Sequence, residues 1–214
     1  MITTRLRRRA AAVVLSLSAV FATSAATLHA EPAKAPATSP ATSPTKSPAK
    51  AAAPDCPQFA DPVHAAVDRR VDVDRITPDP VWRTSCGTLY RSDRRGPSIV
   101  FEQGFHPKDV VNGQYDIEKY VLVNQPSPYV STTYDHDLYK TWWKSGFNYY
   151  IDAPGGVDVN KTIGDTHKWA DQVEVAFPGG IARQYIIGVC PVDKATKTEI
   201  MSDCESNPYY EPWH

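Results

Sequence analysis

Gln172-Val173-Glu174-Val175-Ala176-Phe177-Pro178-Gly179-Gly180 is the stretch on which the reading of this chain turns. Polar and apolar residues alternate up to Phe177, the period-two pattern of a half-buried strand, and Pro-Gly-Gly closes the run. On such a strand Val173, Val175 and Phe177 take one face, and Gln172, Glu174 and Ala176 take the other. Gln172 and Glu174 then stand about 7 Å apart and can address one ligand at adjacent points. Taken alone, such a pair is most often the solvated face of a strand, so its neighbours decide.

Strand-like runs also occur at Thr88–Ser92, Tyr129–Thr133, Asn148–Asp152 and Gln184–Val189. Gly and Pro punctuate them at Pro126, Pro128 and Pro154-Gly155-Gly156. Pro62 to about Arg70 reads as a short helix, and Asp116 to about Asn124 fits either helix or strand. Several short strands with few helices predict an α+β fold around a twisted, mostly antiparallel β core. Neither G-x-G-x-x-G nor a Walker loop occurs, so dinucleotide binding of the Rossmann type is excluded.

The N-terminus carries Arg5, Arg7, Arg8 and Arg9, an apolar run from Ala10 to about Val20, and small residues with cleavage sites after Ala26 or Ala30. That layout predicts a secretory signal peptide over 1–30. The apolar run is too short for a membrane span, so no stable membrane association is expected. Residues 31–54, with Ala-Thr-Ser-Pro-Ala-Thr-Ser-Pro at their centre, have almost nothing to bury and read as a disordered linker. The folded domain is then 55–214, expected to be a monomer.

The first 30 residues hold four Arg and no acid, so the exported chain carries 23 − 4 = 19 bases against 24 acids, formally −5. A surface that grips long duplex DNA by its phosphates needs a basic excess. Cys56, Cys86, Cys190 and Cys204 all lie in the folded part, and an even count on an exported chain reads as two disulfides. Of three possible connectivities, Cys56–Cys86 and Cys190–Cys204 are favoured because each staples nearby segments, contributing roughly 3–4 kcal/mol apiece on the chain-entropy model. No metal site is expected. C-x-x-C is absent, the histidines are scattered, and Asp135-His136-Asp137 reads as a solvated loop because three adjacent residues rarely face one ion. The sequon-like Asn160-Lys161-Thr162 is assigned no function.

In chain order the sequence offers an Arg at a strand end (Tyr90-Arg91-Ser92-Asp93), a hydroxyl-rich strand (Ser131-Thr132-Thr133) and the Gln172-x-Glu174 strand. This resembles the Arg, Ser-Thr-Ser and Gln/Glu-x-Glu constellation of toxin-type ADP-ribosyltransferases, and within them the pierisin-like and scabin-type guanine modifiers. The likeness runs from roughly Trp82 to the C-terminus. It includes Phe101-x-x-Gly104-Phe105, Asn124 seven residues before Ser131, Trp142-Trp143-Lys144, and Trp169 through Ile181. Thr133 departs from the third Ser, keeping the hydroxyl and adding a methyl.

The resemblance implies NAD as cosubstrate, a guanine nucleoside, nucleotide or exposed DNA guanine as acceptor, and no metal. It places Arg91 on the NAD pyrophosphate, where a planar guanidinium makes bidentate contacts, with Asn124, Trp142 and Lys144 around the dinucleotide. Ser131 supports Glu174. Glu174 is the catalytic carboxylate, its bond to the ribose 2-hydroxyl strengthening as oxocarbenium character grows, a charged hydrogen bond worth about 1.5–3 kcal/mol. Gln172, a neutral amide with one acceptor and two donors, matches the guanine edge, whereas a Glu there suits a guanidinium. Trp169 fits either a ring that stacks on the base or a buried packing residue. Competing readings are an NAD glycohydrolase, a protein-directed transferase, and a catalytically silent binding module.

Overall fold

The computed structural model describes residues 56–142 and 146–214. The expected signal peptide, the linker and Lys144 lie outside the described residues. Eight strands form one antiparallel sheet: β1 (Leu89–Asp93), β2 (Tyr129–Thr133), β3 (Phe147–Ile151), β4 (Val157–Asp158), β5 (Glu174–Pro178), β6 (Ile186–Asp193), β7 (Thr198–Glu199) and β8 (Glu205–Ser206). Their spatial order is β4-β5-β2-β1-β3-β6-β7, with β8 also paired to β6. Among the described residues the four helices are short: α1 (Pro97–Gln103), α2 (Ile117–Val123), α3 (Tyr139–Trp142) and α4 (Val159–Ile163). The expected α+β fold with a mostly antiparallel β core is what the chain adopts.

Pairing is uneven across the sheet. β2 registers with β5 from Tyr129↔Pro178 to Thr133↔Glu174, and β1 with β3 from Leu89↔Ile151 to Asp93↔Phe147. Between β1 and β2, only Tyr90↔Thr133 is in register. The sheet therefore parts into two halves along the β1/β2 seam. Unpaired strand backbone there needs other partners, and the Arg91 guanidinium fills part of that need by donating to the Ser131 carbonyl at 2.7 Å.

Both faces of the central strands are covered. Leu89, Val130, Tyr149, Ile151, Val175 and Phe177 join one core, whereas Tyr120, Tyr129, Val157 and Ala176 join the other. Every residue of β5 is buried. This corrects the solvated-face alternative: the polar side of β5 is an interior surface. Burying a side chain such as Val175 or Phe177 stabilises the fold by about 1.5–3 kcal/mol.

The ambiguous segment 116–124 is helical because both ends are capped. Asp116 accepts from the Lys119 N–H at 3.0 Å, and Asn124 closes α2 in the left-handed conformation at φ 53°. α1 starts with Pro97 in its first turn and stops at Gly104, φ 71°, where a Cβ would lie 2.4 Å from the Ile181 carbonyl oxygen. The helix expected over Pro62–Arg70 is absent, and turns take its place. Its backbone groups are drawn to distant partners: Asp68 N–H donates to the Gly179 carbonyl, and the Ala65 carbonyl accepts from Ala182 N–H. Side chains compete locally too, with Asp61 accepting from Val63 N–H.

The disulfides are Cys56–Cys86 and Cys190–Cys204, as expected, and the described residues hold no free cysteine. Among the described residues, no helix is long and apolar enough to cross a membrane.

Candidate active site

The strand pleat carries Tyr90, Ser92, Ser131, Thr133, Asn148 and Glu174 to one face across the seam, following the registers Tyr90↔Thr133, Ser92↔Asn148 and Thr133↔Glu174. These six residues line a cavity of about 360 Å³ together with Arg91, Tyr120, Asn124, Leu138, Tyr139, Trp142, Trp169 and Gln172. All described residues assigned to the site from sequence thus line one cavity.

Glu174 opens β5 and is 8% exposed. Its Oε1 is shielded from solvent and has no hydrogen-bond partner among the described residues. Burial pushes its carboxyl above the ordinary glutamate value, while the Ser131 and Tyr120 hydroxyls and the Arg91 charge pull the other way without overcoming it. The Tyr120 and Ser131 hydroxyls are in direct hydrogen-bond contact. Burial first, and then the Glu174 carboxylate, raise the Tyr120 phenol well above its usual value, so Tyr120 stays neutral and can donate.

Tyr120 was not among the residues found by sequence reasoning. Its signal was present: Ile117, Tyr120, Val121 and Asn124 have the i, i+3, i+4, i+7 spacing of one helical face. The segment's ambiguity between helix and strand hid it.

Arg91 sits in an ion-paired cluster as well as in the cavity wall. Asp93 accepts from Arg91 Nε at 3.3 Å and from Arg95 Nε and Nη2 at 2.9 and 2.8 Å. Burial pushes the Asp93 carboxyl up, but the two guanidiniums and the Arg95 backbone N–H outweigh it and hold the carboxyl at about 2. Two guanidiniums share one carboxylate, leaving a formal 2 − 1 = +1. A guanidinium has five N–H groups, so these bonds orient Arg91 without exhausting its donors.

Gln172 requires a correction. It is not on the strand beside Glu174: Ala170–Gln172 form a 3₁₀ turn, and Val173 is left-handed at φ 40°. The turn is held by bonds that alternation cannot reveal. Thr133 Oγ1 donates to the Gln172 carbonyl at 2.6 Å, and Tyr134 N–H donates to the Val173 carbonyl at 3.3 Å. The hydroxyl of Thr133 therefore fixes the Gln172 backbone. Gln172 still reaches the cavity that Glu174 lines, but from a loop.

Trp142 ends α3 and is 42% exposed, so it is not a core residue. Its ring meets half-buried Trp169 edge-on, centroids 5.9 Å apart. Asn124, besides capping α2, is exposed and lines the cavity. The Asp135-His136-Asp137 stretch is an exposed 3₁₀ turn, as expected, although half-buried His136 contacts the Tyr150 hydroxyl at 3.0 Å and Glu199 at 3.2 Å through Nε2. Among the described residues, no group of three or more His, Cys, Asp or Glu could hold a metal ion.

With this geometry established, comparison with known proteins is decisive. The Scabin-like family model matches residues 89–210. This chain belongs to the Scabin-like family. The match begins at β1 and so includes every described site residue. A relative from Streptomyces coelicolor (strain ATCC BAA-471 / A3(2) / M145), called a guanine-specific ADP-ribosyl transferase, is 78% identical over 214 residues, the full length of both chains. Scabin toxin from Streptomyces scabies, solved in complex with NADH, is 82% identical; the match covers 77% of this chain and all of that one, with a TM-score of 0.76. Pierisin from Pieris brassicae is 41% identical over 110 residues, which are 46% of this chain and 13% of pierisin.

Proposed function

We propose that this chain is an exported mono-ADP-ribosyltransferase that cleaves NAD and transfers ADP-ribose to guanine, in a free nucleoside or nucleotide or exposed in DNA. The observation that carries the reading is Glu174, a buried carboxylate with an unpartnered Oε1, set in a cavity beside a cationic Arg91–Asp93–Arg95 cluster. A buried acceptor without a donor is costly unless a ligand satisfies it. A ribose hydroxyl supplies that donor, and the net positive cluster suits a pyrophosphate. Kinship with a guanine-specific transferase and with scabin in complex with NADH supports both assignments.

In this account Arg91 orients the pyrophosphate, and Asn124, Trp142 and Lys144 flank the dinucleotide. Ser131, fixed by Tyr120, aligns Glu174 on the 2-hydroxyl of the nicotinamide ribose. The bond from ribose C1 to the nicotinamide nitrogen breaks with its electron pair going to that nitrogen, so nicotinamide departs neutral. The developing positive charge on the ribose strengthens its attraction to Glu174, which is stabilisation specific to the transition state. The exocyclic amine of guanine, held by Gln172 and stacked near Trp169, forms the new bond to C1 and releases one proton to solvent. The two disulfides support export to an oxidising compartment, with residues 1–30 as signal, 31–54 as linker and 55–214 as the catalytic domain.

Mass spectrometry of the exported domain with NAD and guanosine, GMP, single-stranded DNA, duplex DNA or an arginine mimic tests this. The expected product is a guanine compound heavier by one ADP-ribosyl unit. Nicotinamide release without any adduct contradicts the acceptor, and intact NAD contradicts the enzyme.

A further inference from the structure

We infer that Asn160 is a positioning residue for acceptor choice: its side chain clasps the loop that presents Trp169 and Gln172. The inference rests on the acceptor role proposed for those two residues. Asn160 lies on α4, whose N-cap Asp158 belongs to β4, and β4 pairs with β5 through Asp158↔Val175. The helix is thereby fastened one residue from Glu174. From it, Asn160 Nδ2 donates to the Ala170 carbonyl at 2.8 Å, and Asn160 Oδ1 meets His167 Nε2 at 2.9 Å.

The chemistry fixes the orientation of both groups. A backbone carbonyl can only accept, so the NH₂ of Asn160 must face Ala170 and its oxygen must face His167. His167 then donates from Nε2. Its Nδ1 is buried and has no partner among the described residues, so the ring gains its polar anchor through Asn160. One amide therefore ties two points of the loop, residues 167 and 170, with Trp169 between them. The Ala170 carbonyl also accepts from Val173 N–H at 3.2 Å, closing the 3₁₀ turn that carries Gln172.

The loop is thus held at its start by α4 and at its end by Thr133 and Tyr134 of the β2 side. The first hold touches no residue assigned to NAD cleavage. Losing it should displace the acceptor groups while leaving Arg91, Ser131 and Glu174 in place, and displacements of about 1 Å cost reaction rates heavily. The sequon-like Asn160-Lys161-Thr162 thereby acquires a structural purpose: the Asn160 amide is engaged within the fold, and Thr162 Oγ1 donates to the Asp158 carbonyl at 2.8 Å.

The test compares guanosine adduct formed with nicotinamide released, in the same reaction, for Asn160→Ala and His167→Ala, with Gln172→Ala as a parallel. Asn160→Ala should lower the adduct-to-nicotinamide ratio about tenfold, with kcat and KM for NAD hydrolysis within about threefold of the parent. Amide hydrogen exchange over residues 167–173 should quicken. His167→Ala removes only one of the two bonds and should lower the ratio less, in the same direction; it also serves if Asn160→Ala does not fold. An unchanged ratio in a folded variant, or both activities falling in proportion, overturns the inference. If Gln172→Ala leaves the ratio unchanged, it is the acceptor reading itself that fails. If Gln172→Ala lowers the ratio and Asn160→Ala does not, only the role of Asn160 fails.

Discussion

The two sides of the cavity are built differently. Ser131 and Glu174 stand on β2 and β5, adjacent strands in continuous register over Tyr129–Thr133 and Glu174–Pro178 and buried on both faces. Trp169 and Gln172 stand on a loop and a single 3₁₀ turn, held by side-chain bonds from Asn160 and Thr133. On the proposed roles, the difference teaches that the groups assigned to bond breaking share the rigidity of the sheet, whereas those assigned to the acceptor depend on a few replaceable contacts.

The sharpest break of that contrast is at Glu174. Glu174→Gln should reduce both nicotinamide release and adduct formation on the order of a hundredfold or more, because the transition-state carboxylate is gone. The pH dependence follows from the raised carboxyl. Since the role proposed for Glu174 needs the ionised form, kcat/KM for NAD cleavage should fall on the acid side with a midpoint above 4.5. Stability runs the opposite way. The folded carboxyl titrates above its unfolded value, so the native state loses stability as pH rises through the folded pKa. Glu174→Gln should therefore melt higher than the parent at neutral pH, a gain that vanishes below pH 4.5.

Asp93 probes the rigid half through stability. Its depressed carboxyl contributes stability that is present above its unfolded value of 3.8 and lost as pH falls towards about 2. Asp93→Asn should cost about 2 kcal/mol in urea denaturation at pH 7, with the deficit closing at the acid end. An equal deficit at all pH values would mean that the Arg91–Asp93–Arg95 cluster does not hold the seam electrostatically.

The smallest effect is expected at Tyr120. Tyr120→Phe removes one hydroxyl from Ser131, a bond worth about 1 kcal/mol, and should slow NAD cleavage about fivefold. The adduct-to-nicotinamide ratio should not move, because Tyr120, though on α2, bonds to Ser131 in the sheet-borne half. A shift in that ratio would blur the division between the two halves.

Legibility in the sequence follows the same division. Alternation revealed β2 and most of β5, since burial of Val175 and Phe177 forces a period of two. It misplaced Gln172, because a left-handed Val173 interrupts the strand at a β-branched residue that single-residue preferences disfavour there. Tertiary bonds to Thr133 and Tyr134 override that preference and leave no mark in the local pattern. Pro62–Arg70 failed as a helix for the same reason, its backbone groups being claimed by Gly179 and Ala182. The order of Arg91, Ser131 and Glu174 gave the site, but the support from Tyr120, Asp93 and Asn160 became visible only once the strands and helices were set side by side.

The most direct test of the central claim is to quantify nicotinamide and guanosine adduct together for Gln172→Glu. The account predicts that nicotinamide release persists while adduct falls about tenfold further, since a carboxylate cannot present the amide's donors. Equal loss of both products would contradict it, placing Gln172 in NAD cleavage and ending the distinction between a sheet that breaks the bond and a loop that chooses the acceptor.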